Sequence, residues 1–457
     1  MDEAYDLIIE GGTVVTADSF RTTTVAVKDG KVAALLDPES PSSAKRTIDA
    51  TGLHILPGII DTHVHLRSPG NSEREDVVSG TGAAAAGGIT TLMEMPISTM
   101  PANTAEGVHG RAEAFDREAL IDFGLYGAAG HENIDRIPEI AEAGVLAFKT
   151  FLTPPPAHRE GEFFGLWCLD YADMQNVMAA TAQTGLRHSF HCENYPMLDT
   201  MVQRLSAEGR TDGPVHAESR PSIVEDTSVA IMMAIATYTG GPVEVVHLSS
   251  PNAAQLVREA KDRGLDVIAE TCPQYLCMTD QALADHGGLA KCNPALRTAD
   301  EVERLWPYLL DDTIDFIGSD HSPFLRHEKQ NPDIFKVPPG CPGLESMVPL
   351  MLTAVNQGRF TLTEMVKKMS TRAAEVFGLN TKGQLATGFD ADLVLIDMSE
   401  RWSFDMHACF SKSSGSMDAV HGRDMHGKVV STFVRGVPVY ESGKIIGKPG
   451  HGNWLKS

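Results

Sequence analysis

Residues 55–66 read ILPGIIDTHVHL, an apolar, β-branched run that ends in two histidines, His63 and His65. On an extended strand, side chains two apart share a face. Both imidazoles therefore project together, and such a pair can close on a single first-row metal ion. Four further runs carry one distinctive polar group towards their C-terminal end: Lys149 in VLAFKTF (145–151), His191 in RHSFHCEN (187–194), His247 in VEVVHLSS (243–250) and Asp320 in DFIGSDHSP (315–323). From His65 the successive intervals are 84, 42, 56 and 73 residues, far longer than a local zinc finger allows. Such a set converges only in a fold that gathers many strand ends in one place.

Three more runs complete a count of eight strands: GITTLMEM (88–95), IDFGLYGAA (121–129) and DVIAETCPQYL (266–276). Segments with helical spacing lie between most of them, among them 169–185 and 249–264. Strand alternating with helix argues a parallel sheet, and eight such units predict an α/β chain folded as a (β/α)8 TIM-like barrel. Barrels of this kind keep their chemistry at the C-terminal ends of the strands. That is where the polar groups fall in runs one, four, five, six and eight.

At 457 residues the chain is long enough for a barrel and one further domain. Sixty-one acidic against 38 basic side chains give a net charge of −23, which disfavours nucleic acid and anionic membranes as partners. No apolar stretch approaches the ~20 residues of a membrane span. The opening MDEAYDLIIEGG is acidic and lacks a signal-peptide core. Seven cysteines follow no framework spacing, as expected of reduced thiols in a cytoplasmic protein.

The flanks read differently. Residues 1–54 hold short strands with turns at Gly11-Gly12 and Asp29-Gly30, the latter a hairpin signal. Residues 381–457 repeat that style in GQLATGFDADLVLIDM and GKVVSTFVRGVPVYESGKII. Neither flank buries enough surface alone, so the two are expected to join in one small β-sandwich packed on a barrel of residues 55–380. Residues 443–457 are expected to form a loose tail.

Taken together, DTHVHLRSPG, GAAAAGGITTLMEMP, FKTF, HCEN, VHLSS, LAKCNPALR, GSDHSP and PGLESMVPLML resemble the cyclic amidohydrolases. This is the hydantoinase, allantoinase, dihydropyrimidinase and dihydroorotase group of the amidohydrolase superfamily. The resemblance spans nearly the whole chain. It implies that Lys149 reacts with carbon dioxide and that its N6-carboxylate bridges two divalent ions, zinc first, manganese or cobalt as alternatives. It further implies that His63, His65 and Asp320 hold the buried ion and that His191 and His247 hold the outer one. A small cyclic amide as substrate and a homo-oligomer, tetramer or dimer, belong to the same implication.

The chemistry of the residues agrees with that assignment. Imidazoles and a carboxylate around two metals suit a hydrolase that makes hydroxide at neutral pH from a bridging water, while the outer ion polarises the amide carbonyl. Lys149 stands in a run otherwise bare of charge, where a lysine is costly unless neutralised. Asp320 is the expected catalytic proton shuttle, taking the proton of the attacking water and handing it to the departing nitrogen. His188, three before His191, belongs on the opposite strand face as packing, and His321 also faces away. His54, His109, His131 and His158 read as surface or loop residues. Asp61, Glu193 and Asn194 are candidates for orienting ligands from behind.

The choice of ring is harder to read. Where dihydropyrimidinases and D-hydantoinases carry a tyrosine five residues past the lysine, this chain has Pro154, and a missing oxyanion donor is worth roughly 2.7–4 kcal/mol. Dihydroorotases pair an arginine with an asparagine in an MPNT-like motif. Arg67 is present, but the asparagine position is Ile97. The closest likeness is therefore to allantoinases and L-hydantoinase-like enzymes. Substrate contacts are expected at Asn293, Gly340 and Gly343, with polar partners for a ureido arm in the 154–164 loop. Loss of the ligand residues would mark a non-catalytic scaffold relative; this chain keeps all six.

Overall fold

Eight parallel strands, hydrogen-bonded in strict sequence order, carry every one of the polar strand ends. The computed structural model describes residues 5–38, 40 and 43–457. The strands are Ile59–Val64, Ile89–Glu94, Asp122–Ala128, Ala147–Phe151, Arg187–His191, Val243–Val245, Val267–Thr271 and Phe316–Ile317. The first three are buried along their whole length, as expected where helices cover a parallel sheet and the strands read as continuous apolar runs. The sheet curls until its two edges meet. His65 N donates to His321 O at 2.8 Å, and Ser319 N donates to Asp61 Oδ1 at 2.9 Å. The closure thus falls beside two of the histidines and Asp320.

Helices fill the crossovers, including Tyr171–Thr184 and Pro251–Asp262 within the segments expected to be helical. Each starts on a side-chain cap: Asp170 accepts from Ala172 N and Asp173 N, and Ser250 accepts from Asn252 N and Ala253 N. The caps satisfy amide groups that a helix leaves open at its start.

Four runs differ from the sequence reading. The first breaks at Gly58: His54–Pro57 pairs with Leu393–Ile396 and only Ile59–Val64 joins the barrel. A Cβ at Gly58 would stand 2.0 Å from Thr90 Oγ1, so the chain passes between domains where only glycine fits. The seventh strand stops at Thr271, because Pro273 opens a helix over Pro273–Cys277. The sixth and eighth strands pair only as far as Val245 and Ile317.

Both chain ends build the sandwich. A seven-stranded sheet joins Thr13–Val15, Phe20–Thr22 and His54–Pro57 to Leu393–Ser403, Asp424–Val434, Val437–Glu441 and Lys444–Ile445. A four-stranded sheet of N-terminal residues packs on it through Leu7, Ile9, Val25, Ile55, Leu393 and Phe433. Asp29 and Gly30 both have positive φ, 51° and 74°, and turn the hairpin between Thr24–Lys28 and Lys31–Leu36.

The loose tail is corrected. Phe123 N donates to Asn453 O, Leu455 N to Phe123 O and Gly452 N to Ala119 O, at 2.7 to 3.0 Å. The C-terminal segment thereby docks alongside the start of the third barrel strand. Among the described residues no helix is long and apolar enough to cross a membrane.

Candidate active site

Strand ends bring the six polar side chains to one mouth of the barrel. His63 Nε2 lies 3.4 Å and His65 Nε2 3.6 Å from Asp320 Oδ1, and one ligand atom from each falls within 4.8 Å of the others. His191 Nδ1 stands 2.9 Å from His247 Nε2. The His247 ring centroid is 5.3 Å from that of His63, so the two groups are contiguous. Lys149 Nζ is buried without a hydrogen-bond partner, 5.1 Å from the centroid of Phe151.

Two of these positions explain why their strands end early. His247 and Asp320 have φ of 40° and 48°, and Arg67 has 61°. This left-handed region is sparsely populated by residues other than glycine, and such conformations concentrate at functional sites. The turn out of the sheet aims each side chain across the mouth.

Burial sets the protonation of the cluster. It pushes the imidazoles of His63, His65, His191 and His247 below their usual value, leaving them neutral, each with one ring-nitrogen lone pair. It also pushes the Lys149 amine down to about 8, against the opposing pull of Glu270 and Asp320. Asp320 is raised, first by burial. Neutral imidazoles, a carboxyl group and an orphaned, weakly basic amine fit a divalent-metal site.

The residues behind this cluster have distinct tasks. Glu193 Oε2 lies 2.8 Å from His191 Nε2, and its other oxygen is 3.2 Å from Arg220 Nε. Asp61 accepts from His63 N and Ser319 N. Asn194 caps the helix Tyr195–Ala207 through Met197 N. His188 bonds Thr150 Oγ1 and Thr181 Oγ1 away from the cluster, and His321 Nδ1 accepts from Gly343 N.

Above the cluster opens a cavity of about 650 Å³, lined among others by Arg67, Ile97, Phe151, Pro154, Asn293 and Gly340. Gly343 lies outside this lining, bonded to His321.

The amidohydrolase family pattern matches residues 54–439. The chain belongs to the amidohydrolase family. Among curated members it is 35% identical to an allantoinase of Rubrobacter xylanophilus, over 98% of this chain and 96% of that one. An allantoinase of Deinococcus radiodurans is 34% identical, with 98% of each chain covered. Among solved structures, the L-hydantoinase (dihydropyrimidinase) of Arthrobacter aurescens superposes with a TM-score of 0.94 at 30% identity, covering 99% of this chain and all of that one. A dihydropyrimidinase of Brevibacillus agri follows with 0.89 and 28% over 98% of each.

Two members of this amidohydrolase's site escaped the sequence reading. Glu270, fully buried, lies 2.8 Å from His63 Nδ1 and accepts from Thr62 Oγ1 and His247 N. A lone carboxylate in the apolar run VIAET carries the same signal that singled out Lys149. Arg67 is buried: it donates to Ser322 Oγ at 2.6 Å and lies over Phe324. No spacing rule foretells that contact, because Ser322 is 255 residues away.

Proposed function

We propose that the chain opens the hydantoin ring of allantoin by hydrolysing a cyclic amide C–N bond. The observation that carries this reading is a set of unpaired polar atoms at the cavity wall. Arg67 Nε and Asn293 Oδ1 are buried without a hydrogen-bond partner, and Arg67 Nη1 has only a long ion pair with Glu162 Oε2, 3.9 Å away; both residues line the cavity. Unpaired buried groups cost roughly 1–3 kcal/mol each. A ureido arm brings a carbonyl for the guanidinium and N–H groups for the amide oxygen. The named allantoinases, similar over nearly their full length, support the same substrate.

In this reading His63, His65 and Asp320 would hold one divalent ion, His191 and His247 a second, and an N6-carboxylated Lys149 would supply an anionic ligand between them; zinc, manganese and cobalt all suit the set. When bound, the ions supply Lewis-acid polarisation of the scissile carbonyl and acidify water. Asp320 takes a proton from the attacking water and delivers it to the departing ring nitrogen. Glu270 holds the His63 ring so that Nε2 faces Asp320. Phe151 and Ile97 give the cavity apolar lining.

A second substrate, a hydantoin with an apolar 5-substituent, is favoured by Pro154, Pro155, Pro156 and Phe163 along the same cavity and by the L-hydantoinase likeness. The deciding experiment compares allantoin, 5-substituted hydantoins of both hands, dihydrouracil and dihydroorotate with metal-replete and chelator-treated protein. Metal-dependent turnover led by allantoin supports the first reading, and a lead for an alkyl or aryl hydantoin replaces it with the second. Absence of turnover on every ring rejects both.

A further inference from the structure

Two buried lysines outside the metal cluster grip one wall of the cavity. Lys329 Nζ donates to Lys291 O at 2.9 Å, Pro338 O at 2.8 Å and Gly340 O at 2.7 Å, which engages all three hydrogens of an ammonium. Lys291 Nζ donates to Ile334 O at 2.7 Å and Val337 O at 2.6 Å. Their relative exposures are 2% and 4%. Four of these five carbonyls belong to the segment 334–340, whose residues Phe335 to Gly340 line the cavity. Gly340 N returns a bond to Lys291 O at 2.9 Å, and Asn293 lies two residues further on.

Why this wall uses ammonium groups follows from its composition. Pro338 and Pro339 have no N–H, so between the donors Ile334 N and Gly340 N at the ends of that stretch these two residues add none. Its carbonyls are the remaining handles, and charged donors make the stronger bonds. Burial pushes both amines below their usual value, and the carbonyl bonds, three for Lys329 and two for Lys291, offset the cost of seating them there. Lys329 also spans the join, holding Lys291 O and Gly340 O at once. It thereby fixes the spacing between the two strips of wall that carry Asn293 and Gly340.

We infer that Lys291 and Lys329 are positioning residues that set the substrate-binding wall of the cavity by pinning the carbonyls of 334–340 against 291–293. They act on substrate fit and not on the metals, Lys329 through the loop alone and Lys291 through the loop and its own place in the cavity lining. The inference rests on the cyclic-amide reading only for its kinetic arm.

The test uses full-length, metal-loaded protein with Lys329→Met and Lys291→Met, and with Lys329→Arg and Lys291→Arg as charge-keeping controls. Loss of a charged hydrogen bond predicts KM about tenfold higher in the methionine variants. The kcat and the metal content stay at the starting values, and the arginine variants recover much of the KM. Independently of any substrate, amide hydrogen exchange over 333–341 accelerates, while exchange in the helix Pro251–Asp262 does not change. Unchanged exchange in folded methionine variants overturns the inference. So does a fall of kcat and metal content together at constant KM. If a methionine variant does not accumulate folded, Lys329→Gln and Lys291→Gln carry the same comparison. If the unsubstituted chain opens no ring, the cyclic-amide reading fails while the exchange arm still decides the positioning role.

Discussion

Glu270 Oε1 lies 2.8 Å from His63 Nδ1, and both side chains are buried at the end of the barrel. With Nδ1 turned to the carboxylate, the Nε2 lone pair points to Asp320, 3.4 Å away. The same carboxyl accepts from His247 N, so one group fixes a ring in one half of the cluster and the backbone in the other. Partners of this kind orient metal ligands and are typically worth about 10–100-fold in metal affinity or activity. Glu270→Ala should lose that much, with Glu270→Gln losing less because its amide oxygen still accepts. Competitive metal titration beside kcat/KM measures it; wild-type affinity in the alanine variant would remove Glu270 from the site.

Lys149 is the residue whose environment least suits an ordinary lysine. Its Nζ has no partner, and burial holds the amine near 8, so a reactive neutral fraction exists at neutral pH. If the cluster binds two ions as proposed, Lys149→Ala should reduce metal content towards one or none and lower activity by at least ~10³-fold, the loss of several kcal/mol of electrostatic stabilisation. Metal analysis of the purified variant gives the answer. Full loading and full activity would sink the bridging role.

Stability should carry a pH signature from Glu345. Its carboxylate accepts from Phe410 N and Ser411 N, yet burial, aided by Glu75, raises it to about 7. A carboxyl whose folded-state value is raised holds a proton more tightly folded than unfolded. Its contribution is therefore fully present below about 4.5 and is lost as pH rises through about 7. Glu345→Gln stays neutral throughout. The thermal midpoint of the variant should fall less between pH 5 and pH 8 than that of the parent chain, as read by scanning calorimetry. Parallel curves would remove Glu345 as the cause.

The barrel was legible because its signal is repeated: eight apolar runs, five of them carrying a polar group near the C-terminal end. The composite sandwich was legible from the like texture of the two flanks. What stayed hidden depends on contacts between distant residues. The break at Gly58 answers to Thr90, and Arg67 meets a serine 255 residues away. The early strand ends at Val245 and Ile317 follow from positive φ at His247 and Asp320, a backbone state that histidine and aspartate do not announce. Glu270 could have been found by the rule that found Lys149.

The tail shows how composition misleads when docking is through the backbone. GKPGHGNWLKS carries glycines, a proline and charges, the usual marks of a loose end. Yet Asn453 and Leu455 bracket Phe123 like an added strand, and Asn453 N also donates to Asp122 Oδ1 at 2.8 Å. Arg435, from the sandwich, reaches both Asp122 Oδ1 and His451 O, so the segment ties the barrel to the second domain. Ending the chain after Gly450 removes at least four hydrogen bonds of about 1 kcal/mol each and uncovers the edge at Phe123. The truncated chain should lose several kcal/mol of stability in urea unfolding, while KM on the preferred ring stays the same, because none of residues 451–457 lines the cavity. An unfolding midpoint equal to that of the full chain would mean the docked tail contributes no stability.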